Sequence, residues 1–261
     1  MNQHRPRKRF GQNFLHDPGI IGRIVDAIHP RAHEHLVEIG PGQGALTAGL
    51  LASGCRLDAI ELDRDLVPGL KQAHGDTDRF QVIEADALSV DFSALRTGDE
   101  PLRVVGNLPY NISTPLIFHL LQYASDIRDM HFMLQREVVQ RLAATPGNKT
   151  WGKLGVMAQY HCRIDALFDV PPGAFNPPPK VMSGIVRLVP HARARNAEQE
   201  KRLRRVVTAA FSQRRKTLRN TLRDLVDVQQ LEDLGISPGA RAETLELEQF
   251  IAIGDAIGSD S

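Results

Sequence analysis

Apolar and polar positions along this chain switch repeatedly between a strand pattern and a helix pattern. "EHLVEIG" is a short apolar run that ends in glycine, "CRLDAIEL" repeats it, and "FQVIEAD", "LRVVGN" and "DMHFMLQ" continue the series. Between these runs, apolar residues recur at three- and four-residue spacing, as on one face of a helix. The helical stretches are "GALTAGLLASG", closed by Gly54, then "DRDLVPGLKQA", "STPLIFHLLQYA", capped by Ser113 or Thr114, and "REVVQRLAA". Ahead of the first strand, "HDPGIIGRIVDAIHP" predicts a helix with Asp17 as N-cap and Pro18 in first position. Later, "CRIDALFDV" and "KVMSGIVRLV" predict a closing pair of strands. Strands alternating with helices at this spacing call for an α/β domain on a parallel sheet covered on both faces. After Pro190 only helical patterns remain. The expected division is therefore an α/β domain over residues 1–190 and a small all-helical domain over 191–261.

Composition narrows the class without changing this picture. A chain of 261 residues with 42% hydrophobic and 24% charged content can bury one substantial core and a smaller second one. No apolar run approaches the ~20 residues that span a bilayer, and "MNQHRPRKRF" lacks the apolar stretch of a secretory signal. Cys55 and Cys162 stand singly in apolar contexts, as reduced core residues of a cytoplasmic protein would. The ten histidines are scattered and support no metal site; His29, His33 and His35, around a helix end, are expected to be solvated. Nothing in the sequence requires more than a monomer.

Charge adds a partner. The net charge of +1 hides a basic amino terminus (Arg5, Arg7, Lys8, Arg9) and a basic stretch between Arg187 and Arg223 that includes "KRLRR" and "QRRKTLR". Beyond Asp224 the tail is acidic. One basic run is often only a solvated helix face. Two in a near-neutral protein point to a polyanion, and to nucleic acid first.

The candidate chemistry lies at the strand ends. "VEIGPGQGAL" places Gly40, Gly42 and Gly44 at a strand-to-helix turn, where glycines allow positive φ and close approach of a ligand to the backbone. The spacing is not that of dinucleotide enzymes. Glu38, just before it, would sit badly beside a pyrophosphate and suits the sulfonium and ammonium groups of S-adenosylmethionine. Glu61 ends the second strand, where a carboxylate can accept from ribose hydroxyls, and Asp86 ends the third. In an open α/β sheet all these strand ends, with Asn107 on the fourth, would line one crevice.

"GNLPY" then supplies a reaction. The amine on a planar base is a poor nucleophile because its lone pair is delocalised into the ring. The Asn107 side-chain oxygen and a backbone carbonyl beside Pro109 can accept both amine hydrogens and turn the lone pair towards a methyl donor. Tyr110 can stack on the base, worth ~1–3 kcal/mol. A plain β-turn also favours Asn and Pro, but not the acids and glycines upstream.

Taken together, "GQNFLHD", "EIGPGQGALT", "ELDRDL", "GNLPYNISTPLIFHLL", "MLQREVVQRLAATPGNK" and "FNPPPKVMSG" stand in the order found in the KsgA family. The chain resembles these ribosomal small-subunit RNA adenine dimethyltransferases over about residues 8–225. The resemblance implies a Rossmann-like class I S-adenosylmethionine-dependent methyltransferase sheet with a small C-terminal all-helical domain. It also implies transfer of methyl groups to N6 of two adjacent adenosines in the 3′-terminal hairpin of 16S rRNA, late in assembly of the 30S subunit. Cofactor contacts would fall to Asn13, Leu15, Gly40, Gly42, Glu61, Leu62, Asp86, Ala87 and Asn107. The catalytic turn would be Asn107, Leu108, Pro109 and Tyr110, with Phe175 sandwiching the flipped base against Tyr110. Arg214, Arg215, Lys216 and Arg219 match the family's rRNA-docking region. Trp151 departs from the family pattern, which leads one to expect Tyr in a loop contact. The nearest rival is the Erm family, which modifies an adenine of large-subunit rRNA by the same chemistry. The "FNPPPKV" loop and "GALT" turn favour the small-subunit enzymes. DNA or protein-amide methylation is disfavoured by Leu in "NLPY". A purely RNA-binding factor would not need Glu61, Asp86, Asn107 and Tyr110 together.

Overall fold

The structure, a computed structural model, describes residues 12–192 and 196–258. The expected strands form with nearly their expected bounds. A short β1 (Phe14–Leu15) precedes α1 (Pro18–Ile28), whose first turn is closed by the Asp17 carboxylate accepting from the Ile20 N–H at 3.0 Å. The chain then runs β2 (His35–Ile39), α2 (Thr47–Ala52), β3 (Arg56–Glu61), α3 (Val67–His74) and β4 (Phe80–Glu84). It continues through α4 (Phe92–Leu95), β5 (Leu102–Asn107), α5 (Ser113–Leu120), β6 (Ile127–Gln135), α6 (Arg136–Leu142), α7 (Lys153–His161) and β7 (Cys162–Val170). β8 (Phe175–Asn176) and β9 (Ser183–Pro190) complete the strands, and α8 (Ala197–Ala210), α9 (Leu218–Thr221), α10 (Val228–Asp233) and α11 (Leu247–Gly258) follow.

Seven strands make one sheet in the order β4-β3-β2-β5-β6-β9-β7, and β1 pairs with β8 apart from it. The sheet is mixed rather than parallel throughout. β4, β3, β2, β5 and β6 run parallel, and β9 joins β6 antiparallel. β2 and β5 are buried along nearly their whole length, as central strands of a parallel sheet covered on both faces are. The chain winds outwards from β2 to β4, then returns to β5 on the other side of β2. The carboxyl ends of β2 and β5 therefore border the crevice at the topological switch point.

α5 begins differently from expectation. Neither Ser113 nor Thr114 caps it; Ile112 holds the cap position, and Ser113 Oγ instead donates to the Tyr110 carbonyl at 3.3 Å. His35 also departs from expectation. Its side chain is buried, with Nε2 2.9 Å from the Asp58 carboxylate, because it opens a strand inside the sheet and not a loop. Cys55 and Cys162 are buried free thiols, as expected.

The molecule divides into two compact units, but not at a single point. One unit runs to Val139 and resumes over Asp165–Pro190; the other holds Gln140–Ile164 together with the helices after His191. This division into units differs from the contiguous one expected at residue 190. The reason lies in α7, a helix that the sequence pattern does not announce, and in Trp151. That indole is buried to 1% exposure and donates Nε1–H to the Leu245 carbonyl at 2.9 Å, within the helical unit. Trp151 thus stands in a loop, as a core residue of that unit.

Candidate active site

The glycine turn after β2 is built by backbone conformation. Gly40 and Gly42 have φ of 67° and 60°, which a side chain would strain. A Cβ at Gly42 would also come within 3.1 Å of the Phe14 ring. The turn is held to the next strand by Glu61, whose Oε2 accepts from the Gly42 N–H at 3.1 Å while Oε1 accepts from the Asp63 N–H at 2.8 Å. A carboxylate offers about four lone-pair sites, so Glu61 can accept a further donor. Burial raises the Glu61 pKa above the usual carboxylate range, and these N–H donors oppose the rise.

Glu38 sits deeper, 2% exposed, and Thr47 Oγ1 donates to it at 2.6 Å. Burial, against that hydrogen bond and with repulsion from Glu61 added, pushes its pKa up to about 7. At the end of β4, Asp86 is exposed and caps the turn over Ala87–Ser89, accepting from the Leu88 N–H at 3.0 Å through one oxygen.

Where β5 ends, Asn107 Nδ2 donates to the Asn13 carbonyl at 3.2 Å. The Pro109 carbonyl is taken by the Ile112 N–H at 3.2 Å. Among the described residues, no backbone N–H outside helices and strands donates to the carbonyl of Leu108, immediately before Pro109. Leu108 itself is buried, with its N–H on the Met133 carbonyl at 3.2 Å. Tyr110 is half-buried, and its hydroxyl lies 2.9 Å from Ser183 Oγ.

These groups enclose a cavity of about 350 Å³, the size class of a small-molecule site. Asn13, Leu15, Gly40, Gly42, Glu61, Leu62, Asp86, Ala87 and the whole Asn107–Tyr110 turn line it. Among the described residues of its wall, Glu38, Glu61 and Asp86 are acidic and no Lys, Arg or His joins them. That set of carboxylates repels a pyrophosphate and fits a cationic ligand. No group of three or more His, Cys, Asp or Glu among the described residues is placed to hold a metal ion.

The model of one protein family, described as ribosomal RNA adenine dimethylase, matches residues 3–258. The chain belongs to the ribosomal RNA adenine dimethylase family. Its curated relatives include the Ribosomal RNA small subunit methyltransferase A of Pseudomonas aeruginosa, 60% identical over 98% of this chain and 96% of that one. The protein of the same name from Pseudomonas putida is 59% identical, with the same coverage. Among solved structures, a dimethyladenosine transferase from Plasmodium falciparum superposes with a TM-score of 0.79 at 25% identity, covering 94% of this chain and 98% of that one. The 23S rRNA methyltransferase ErmE superposes at 0.75, also 25% identical, covering 94% of this chain and all of that one. The α/β sheet is therefore the Rossmann-like sheet of these methyltransferases, and the chain is an rRNA methyltransferase by family.

One residue expected at the site, Phe175, is not among those that line this cavity. Phe175 is 3% exposed and lies off the cavity wall, opposite Leu15 in the β1–β8 pair and inside the apolar cluster that includes Val105, Met133 and Ile185. That register spends the ring on the core. Arg214, Arg215, Lys216 and Arg219 are exposed in the helical unit, and Arg214 also donates to the Lys149 carbonyl. Arg5, Arg7, Lys8 and Arg9 lie outside the described residues. Two functional positions escape the reading of the sequence. Thr47 holds Glu38, a pairing that nothing in the local pattern announces. Gly106 lets β5 lie against β2 at the switch point, since a Cβ there would run into the Ile39 carbonyl; its place in a strand interior is the available signal.

Proposed function

We propose that this chain transfers methyl groups from S-adenosylmethionine to N6 of two adjacent adenosines in the 3′-terminal hairpin of 16S rRNA, within the 30S subunit. The observation that carries the reading is the single cavity wall that joins an acidic, base-free floor to the Asn107–Tyr110 turn. When bound, S-adenosylmethionine supplies an electrophilic methyl group on a positively charged sulfur. Glu38 offers the negative charge that such a cation requires, Glu61 offers acceptors for its ribose, and Gly40 and Gly42 let its amino-acid portion lie against main chain. Asp86, Leu62 and Ala87 fit its adenine: a carboxylate oxygen for the exocyclic amine and two apolar side chains beside the ring.

At the other end, Asn107 Oδ1 and the Leu108 carbonyl accept the two hydrogens of the target amine and hold its lone pair towards the donor. Tyr110 stacks on the extruded base; the buried Phe175 takes no part in this account. Neither Asn107 nor Tyr110 need remove a proton first, because the methylated ammonium is acidic enough to lose it afterwards.

The choice of the small subunit is supported by 60% identity to relatives named for it, against 25% to the large-subunit enzyme. The test is transfer of labelled methyl groups to unmethylated small subunits and, separately, to large-subunit RNA, with the modified base mapped. Label on two adjacent small-subunit adenosines supports the reading, and label only on large-subunit RNA replaces it with the rival.

A further inference from the structure

β9 opens with Ser183, which is fully buried. Ile185, two residues on and therefore on the same face of the strand, packs in the apolar cluster with Leu15, Val105 and Met133. A hydroxyl on such a face has no water to bond and needs a protein partner. Its partner is the Tyr110 hydroxyl, 2.9 Å away and seventy-three residues distant in sequence.

We propose that Ser183 is a positioning residue for methyl transfer: by holding the phenol oxygen of Tyr110 it fixes the plane that the ring presents to the target base. The inference rests on Tyr110 being the stacking residue. Tyr110 stands in the turn between β5 and α5, and Ser113 Oγ ties its backbone carbonyl. The ring itself is still free to rotate about two side-chain bonds unless its far end is also held. Ser183 supplies that second point from a rigid support. It is paired opposite Gln135 in the β6–β9 ladder, and the neighbouring Met182 carbonyl accepts from the Arg136 N–H at 2.9 Å. Stacking is strongest at a defined offset and separation of the two rings. A tethered ring meets each incoming base, unmethylated or once methylated, at the same tilt.

The experiment is a double-variant cycle on full-length protein with small-subunit RNA as substrate, using Ser183→Ala, Tyr110→Phe and the pair. Each single variant should lower kcat by about three- to tenfold, the range of one neutral hydrogen bond, with cofactor affinity unchanged. The double variant should be no slower than the slower single one, because the two hydroxyls act as one unit. Ser183→Thr, which keeps the hydroxyl, should recover turnover. The positioning role is overturned if the two losses multiply. It is equally overturned if Ser183→Ala lowers only Tm and leaves kcat at the wild-type value. A wild-type protein that methylates no rRNA at all would overturn the proposed function and this inference with it, whereas multiplying losses overturn the inference alone.

Discussion

The side-chain amide of Asn107 donates to the main-chain oxygen of Asn13, ninety-four residues away, at 3.2 Å. A carbonyl can only accept, so this pairing decides which end of the amide is Nδ2 and turns Oδ1 to other donors. The orientation of the proposed amine acceptor is therefore set by the segment before α1. That segment is itself tied down, by Gln12 Nε2 on the Asp63 carboxylate at 2.9 Å and by the pairing of β1 with β8. The same few residues wall the cavity and aim the amide, which explains why "GQNFL" and "GNLPY" belong to one site.

Glu61→Ala should raise the cofactor Kd by about tenfold or more, since a charged hydrogen-bond acceptor is removed. The Gly42 and Asp63 N–H groups lose their partner in the same change, so the glycine turn loosens too. Titration calorimetry reads the effect, and an unaltered Kd would remove Glu61 from the ribose.

Cofactor affinity should depend on pH through Glu38. Its pKa of about 7 in the ligand-free protein means that both forms coexist near neutrality, and a cationic ligand selects the carboxylate. Affinity should rise between about pH 6 and 8, and binding should release protons, seen as a buffer-dependent enthalpy. The sign for folding is opposite. The folded pKa lies above the ordinary 4.5, so this group's contribution is fully present below that value and is lost as pH rises through about 7. Glu38→Gln should abolish both dependences.

Arg103→Ala should destabilise the α/β unit by about 3–5 kcal/mol, because it strands buried carboxylates. The guanidinium reaches Glu34 at 2.7 Å, Asp129 at 3.0 Å and the Ile28 carbonyl at 2.6 Å. Burial alone would raise the Asp129 pKa, but the His131 ring 3.4 Å away and the hydrogen bonds and charge of Arg103 outweigh it and hold it low. That stabilisation is present at neutral pH and is lost as pH falls through the depressed value. Chemical denaturation at pH 7 and in acid measures both; equal midpoints for variant and wild type would contradict the network's role.

Much of this site could be read from the sequence because its parts end strands. Glu61, Asp86 and Asn107 each close an apolar run, and the switch-point geometry of a wound sheet brings such ends together whatever the side chains between them. Phe175, Trp151 and His35 could not be placed this way. Whether an aromatic faces a cavity or a core depends on strand register, and β8 is only two residues long. Trp151 lies before a helix whose apolar pattern is weak because it is buried nearly all round. The pairing of His35 with Asp58 joins two strands, and no local spacing encodes it.

Neutralising Arg215, Lys216 and Arg219 together should weaken rRNA binding and lower the slope of log affinity against log salt by roughly one for each phosphate that these side chains neutralise. All three are exposed, so folding should be unaffected. An unchanged slope would mark them as ordinary solvated charges.

The most direct test of the central claim is Asn107→Ala, assayed for methyl transfer to small-subunit rRNA and, in parallel, for cofactor binding. The acceptor-pair account predicts that turnover falls by on the order of a hundredfold or more while cofactor affinity falls only modestly. Turnover retained near the wild-type rate would contradict it.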